Sequence, residues 1–195
     1  MRADAQRNRD RLLDAAIDLI LEVGAEPPLD AIARRAEVGI GTLYRHFPDR
    51  EHLLAVVAER VLARAVDAAE TALQSDDPVR SYLHAAVEQG VGVLNLLQPV
   101  LDRPDWSDQR DRIAPLLEQI AEQGQASGRL RPEVRAIDLV AAVIRFSRPL
   151  AIGLSVEDDR ALARRHLDVH LDGLAASGPD VPPLPEPTVL ARWST

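Results

Sequence analysis

The sequence predicts an all-α protein, with a short N-terminal three-helix unit followed by a larger helical region. Three observations carry this. Apolar residues recur at three- and four-residue steps along most of the 195 residues, the period of a helix with one buried face. No run alternating at period two and bounded by turn residues stands out. Glycine and proline punctuate the pattern at intervals that suit helix ends: Gly24, Pro48, Pro78, Pro99, Pro104, Gly128, Pro149 and Gly153.

The first helix lies in RNRDRLLDAAIDLILEVG, where Leu13, Ala16, Ile17, Ile20 and Val23 share a face and Asp14, Asp18 and Glu22 fall opposite. Gly24 suits the left-handed position just past its end. A second pattern, Leu29, Ile32, Ala33 and Ala36, gives a helix of two turns, with Pro28 at or just before its start and Asp30 placed well for its dipole. After a break at 37–39, residues 40–47 form a third short helix that Pro48 stops. Asp49 is the candidate N-cap of a long helix with Leu54, Val57, Val61, Ala65, Ala68 and Ala72 on one face, ending near Leu73. Further helices are expected over 78–97, 107–126, 132–148 and 156–175. The last stretch, GPDVPPLPEPTVLARWST, holds five of the 14 prolines and reads as an extended tail in which Trp193 is the residue suited to dock.

Composition narrows the function. The formal charge is −8, which argues against a chain that coats nucleic acid by bulk positive charge, since such domains usually have a pI above about 9. Residues 1–50 hold eight arginines and nine acids, a net of −1, so most of the acidity lies further on and a focused basic site is allowed. All 23 basic residues are arginine, and only six residues of the whole chain are aromatic, so the core is aliphatic. Without cysteine there is no disulfide, thiol nucleophile or Cys-based zinc site. The longest uncharged run, 89–101, is shorter than the roughly 18 residues of a membrane span, and a cytoplasmic protein is expected.

Two short helices joined by about three residues, behind a longer first helix, match a helix-turn-helix, whose later helix enters the major groove. Within Gly39 to Phe47, Leu43 and Phe47 sit four apart and pack inward. Ile40, Gly41, Thr42, Tyr44, Arg45 and His46 then face outward, and their hydroxyl, phenol, guanidinium and imidazole groups are donors for phosphate oxygens and base edges. Gly41 lets the backbone approach a groove wall, and free amides at the helix start suit a phosphate. Arg50 opposes the dipole of its own helix, so a nearby phosphate is the better explanation of its presence.

The stretch DAIARRAEVGIGTLYRHFPDREHLL, residues 30–54, resembles the DNA-binding segment of TetR-family transcriptional regulators, whose pattern around T-L-Y-x-H-F is specific. The resemblance implies that Ile40, Gly41, Thr42 and Arg45 lie against base edges and that Tyr44, His46 and Arg50 hold phosphates. It also implies a homodimer on a palindromic DNA operator, and a C-terminal helical domain that binds a small-molecule effector and releases the DNA. The match covers about the first 55 residues; further on, only the number and lengths of helices agree. The chain departs from the pattern at Pro27-Pro28-Leu29, where many members carry a hydroxyl residue. Glu37 stands where the turn usually has glycine, Gly39 where the next helix usually has a serine cap, and Asp30 where some relatives place a basic base-reader. Glu37 is expected to bear a small left-handed cost. The resulting division is 1–52 for DNA reading, 53–177 for effector binding and dimerisation, and 178–195 for the tail.

Other candidates carry less. Arg2, Arg7, Arg9 and Arg11 could clamp phosphates, although Asp4 and Asp10 dilute them, and Arg34 and Arg35 are as readily a solvated face. His166 and His170 have metal-ligand spacing, but with no third ligand evident, packing or a dimer seam is the better reading. Asp102, Asp105, Asp108 and Asp111 lack the glycine and terminal glutamate of a calcium loop and read as a solvated connection. The apolar segment 138–154 suggests that the last two helices form the dimer seam as half of a four-helix bundle. Tyr82, Trp106, Arg145 and Phe146 are the candidate lining of an effector pocket, chosen by residue type. No cofactor and no catalytic set are expected, because no nucleophile–base pair, phosphate loop or metal cluster is evident. The rival reading is a helical ligand-binding protein or enzyme with a non-functional helix-turn-helix.

Overall fold

The computed structural model describes residues 2–98, 107–150 and 152–175, and among them every regular element is an α-helix. In chain order these are α1 (Arg2–Val23), α2 (Leu29–Arg35), α3 (Ile40–His46), α4 (Arg50–Ala72) and α5 (Pro78–Glu88). They are followed by α6 (Val93–Leu96), α7 (Ser107–Ala126), α8 (Ala136–Phe146) and α9 (Val156–Leu174). The tail with Trp193, and also Trp106, Asp102 and Asp105, lie outside the described residues.

The first half follows the periodicity closely. The α1 face of Leu12, Leu13, Ala16, Ile17 and Ile20 is buried, and Gly24 ends the helix at φ +105°. Asp49 caps α4 by accepting the His52 amide at 2.7 Å. Helix α4 runs unbroken through the expected boundary near residue 52, and its buried face from Leu53 to Ala72 is the spine against which α1, α5, α6 and α7 pack. Two ion-pair sites bolt the halves together on the rim: Arg60 to Asp10 at 2.6 Å, and Arg64 to Asp14 at 2.6 Å. The Arg60 hydrogen bond holds the Asp10 carboxyl below the usual carboxylate range.

The second half differs from expectation in two places. The helix predicted over 78–97 is two pieces. Gly90 takes φ +72°, its amide bonds to Val87 O and the Val91 amide to Ala86 O, so α5 closes in a Schellman turn before α6 starts. Apolar residues continue on both sides of that turn, which made it look like one helix. The helix predicted from 132 begins at Ala136, because Arg135 is its N-cap, its amide bonded to the Asp138 carboxylate at 2.8 Å. The last helix buries only Leu167 and Leu171 and leaves Val156 and Val169 facing outward.

Candidate nucleic-acid interface

Helices α2 and α3 are too short to be stable alone, so their placement rests on packing. Ile32, Ala33, Leu43 and Phe47 are buried in the core that α2 and α3 share with α1; full burial of a Leu or Phe side chain contributes roughly 1.5–3 kcal/mol. The turn between the helices is also fixed. The Glu37 amide bonds to Arg34 O and the Val38 amide to Ala33 O, both at 3.0 Å, with Glu37 in the left-handed region at φ +52°. That is a Schellman turn with glutamate in the position where glycine is usual. The strain anticipated for Glu37 is thus present.

With Leu43 and Phe47 turned inward, α3 presents Ile40, Gly41, Tyr44 and Arg45 to the outside, with Thr42 and His46 half-buried at the edges. A side chain added at Gly41 would meet nothing within 4 Å. Arg45 lies along its own helix, donating from Nε to Gly41 O at 3.1 Å and from Nη2 to Thr42 Oγ1 at 3.2 Å. Arg50 is not free at the surface. It is partly buried, and Nη1 donates to the carbonyl of Pro27 at 2.6 Å, joining the start of α4 to the entry of α2. Expected to meet a phosphate, Arg50 has a protein partner in this structure.

Much of the basic charge around the interface is already compensated. Arg11 pairs with Glu37 at 2.6 Å, Arg34 with Asp30 at 2.5 Å, Arg35 makes two bonds to Glu22, and Arg7 pairs with Asp4. The Arg34 hydrogen bond keeps the Asp30 carboxyl below its ordinary value, and the Glu22 hydrogen bond raises Arg35. Asp30, at a position where some relatives carry a base-reader, is thereby shielded by the next turn of its own helix. Arg9 lies over the Phe47 ring at 5.8 Å, a cation–π contact that tethers α1 to the end of α3 and that periodicity gave no hint of.

The described residues named for an effector pocket, Tyr82, Arg145 and Phe146, do not converge. Tyr82 is sealed in the core, where burial pushes its phenol above its ordinary value, and Arg145 is exposed. Of the described members, Phe146 alone lines a cleft that opens between α1 and the α8–α9 corner. His170 packs its ring against Phe146 at 5.4 Å and is half-buried, which lowers its pKa, while His166 points to solvent. Among the described residues no group of three or more His, Asp or Glu could hold a metal, and no helix is long and apolar enough to cross a membrane. A polar link that the sequence reading missed joins α5 to α9: Asp168 receives Arg80 and His84, the latter at 2.9 Å.

Comparison with known proteins agrees with the α1–α4 geometry and extends to the rest of the chain. Residues 12–57 match the family described as bacterial regulatory proteins, tetR family, and residues 76–176 match the SbtR-like transcriptional regulator C-terminal domain. The repressor KstR of Mycolicibacterium smegmatis is 30% identical over 184 residues, covering 89% of this chain and 78% of the repressor. Among solved structures, the TetR regulator SCO0520 of Streptomyces coelicolor is 31% identical with a TM-score of 0.56, over 87% of this chain and 99% of that one. A TetR regulatory protein of Mycobacterium vanbaalenii is 28% identical with a TM-score of 0.56, over 89% and 98%. A reading helix set on a three-helix unit, and likeness running from that unit through the C-terminal helices, place the chain in the TetR family of DNA-binding transcriptional regulators.

Proposed function

We propose that the protein is a homodimeric repressor that reads a palindromic operator with one α3 from each protomer and lets go when a small molecule binds its C-terminal half. The observation that carries this is the outward surface of α3, with Ile40, Gly41, Tyr44 and Arg45 raised over buried Leu43 and Phe47. In this reading Ile40, Gly41, Thr42 and Arg45 face base edges, and Tyr44, His46 and Arg50 hold the backbone. Residues 1–52 do the reading and 53–177 the sensing and pairing.

The dimer seam is assigned to α8 and α9. Helix α9 buries little within the protomer and leaves Val169 exposed, on a face that a second copy covers in a four-helix bundle. Two reading heads then meet half-sites about one helical turn apart, roughly 34 Å. The sign of regulation follows the relative KstR, which is named a repressor. An effector acts by binding the DNA-incompetent state better, and it moves the equilibrium only by that difference. The cytoplasm is the compartment this function requires.

Fluorescence anisotropy on DNA from both flanks of the protein's own coding region tests the reading. The expected result is salt-sensitive binding of one dimer to a palindromic segment there. Binding no tighter than to unrelated DNA overturns it.

A further inference from the structure

The cleft of about 460 Å³ between α1 and the α8–α9 corner spans the two halves of the protein. Its apolar lining includes Ile17, Leu21, Phe146, Leu150 and Leu154, and its charged lining is five acids and four arginines. Most of these charges are already engaged. Arg64 holds Asp14, Arg35 holds Glu22, Arg164 holds Glu88 at 3.2 Å, and Asp159 accepts the Leu150 amide at 2.9 Å. Asp18 differs from them. It is half-buried, its carboxylate accepts no hydrogen bond among the described residues, and its nearest cation, Arg160 of α9, stays at 3.9 Å.

Ser147, at the end of α8, also borders this wall, but its hydroxyl is buried against Gly92 and does not open into the cleft. An anion entering the cleft would find arginines already bound to carboxylates. A cation would find a carboxylate with open acceptor positions above an apolar floor.

We propose that this interdomain cleft binds a small organic cation with an apolar body, its charge on Asp18 and its body over Phe146, Leu150 and Leu154. The assignment rests on the regulator reading above and gives the effector's chemical class. A cation on Asp18 competes with Arg160 for the same carboxylate, so binding loosens the tie between α9 and α1. That is how occupancy reaches the reading head. Burial already pushes the Asp18 carboxyl above its ordinary value, so a bound cation relieves a strained charge.

The test is isothermal titration calorimetry of the full chain with 4-phenylbutylamine and with 5-phenylpentanoate, which share an apolar body and differ in charge. The amine is expected to bind and the carboxylate not. Asp18→Asn should weaken the amine by at least about tenfold, the scale of a lost charge-assisted contact. Arg160→Gln, at an exposed position where folding is safe, should strengthen it. The amine should also lower the affinity of the wild type for its DNA. Binding of the carboxylate in preference, no binding of either compound, or an amine affinity unchanged in both variants overturns the proposal. A wild type that binds the amine but no DNA sinks the regulator reading and leaves the site standing.

Discussion

Arg50 Nη1 donates to Pro27 O at 2.6 Å, so the first turn of α4 is tied directly to the residue before the cap of α2. This bond explains a cation at a helix start, where the dipole disfavours it. It also sets the angle at which the two-helix reading unit sits on the long helix.

Arg50→Ala is therefore expected to act before any DNA is present. A partly buried bond from a charged donor, discounted for solvent, is worth about 1 kcal/mol, and urea unfolding should show a loss of that size. DNA binding should weaken on operator and unrelated DNA alike, because the reading unit loses its anchor and a phosphate loses a partner. An unchanged unfolding midpoint with a reduced salt slope would mean that Arg50 serves the phosphate alone.

Glu37→Gly separates strain from charge. The left-handed backbone at φ +52° costs glutamate roughly 1–2 kcal/mol, which glycine avoids. Against this, glycine gains about 0.4–1 kcal/mol of freedom in the unfolded chain, and the exposed Arg11 pair is worth about 0–1 kcal/mol. These nearly cancel, and thermal unfolding should shift by less than about 1 kcal/mol. DNA binding should move clearly: Arg11 is released and a carboxylate leaves the turn before α3, so affinity at low salt rises and the salt dependence steepens. Weaker binding would mean that the Glu37 pair positions α3.

Gly41→Ala isolates the approach of the α3 backbone to DNA. In the free protein the added methyl meets nothing within 4 Å and replaces a poor helix former, so stability should hold or rise by up to about 1 kcal/mol. On DNA the same methyl faces the groove, and operator affinity should fall about tenfold, the scale of one mismatched base pair. Equal affinity with equal stability, measured by anisotropy and melting, would place the α3 surface further from the bases.

These residues also mark what was legible in the chain. The reading unit was visible because its determinants are local: Leu43 and Phe47 four apart, Gly24 and Pro48 as stops, Asp49 as cap. The break at Gly90 was hidden because apolar residues flank it on both sides and only a backbone angle distinguishes a turn from a continuing helix. Size and charge single out candidate pocket residues, but whether Tyr82 is sealed in or Phe146 borders a cleft depends on which helices meet. The Arg50 to Pro27 bond and the loose Asp18 to Arg160 pair join residues distant in sequence, so no periodicity reports them.

The last prediction concerns pH and sets two aspartates against each other. Burial, the largest influence, holds the Asp18 carboxyl above its ordinary value, with Arg160 and Arg35 opposing it. The folded protein therefore binds that proton more readily than the unfolded chain. Its stabilising contribution is present below the ordinary carboxylate pKa and lost as pH rises through the raised one. Asp18→Asn should consequently melt above the wild type at pH 7, with the gap closing as the pH falls toward 4. Asp168 is the reverse: the His84 hydrogen bond, with help from Arg80, holds its carboxyl below the ordinary value. Its contribution is present above the ordinary pKa and lost as pH falls through the lowered one, so Asp168→Asn should melt below the wild type at pH 7 and converge in acid. Melting curves from about pH 2 to 8 on the three proteins decide it. An Asp18→Asn protein less stable than the wild type at neutral pH would mean that Arg160 compensates the charge after all, and the cleft would then have no open carboxylate to offer a cation.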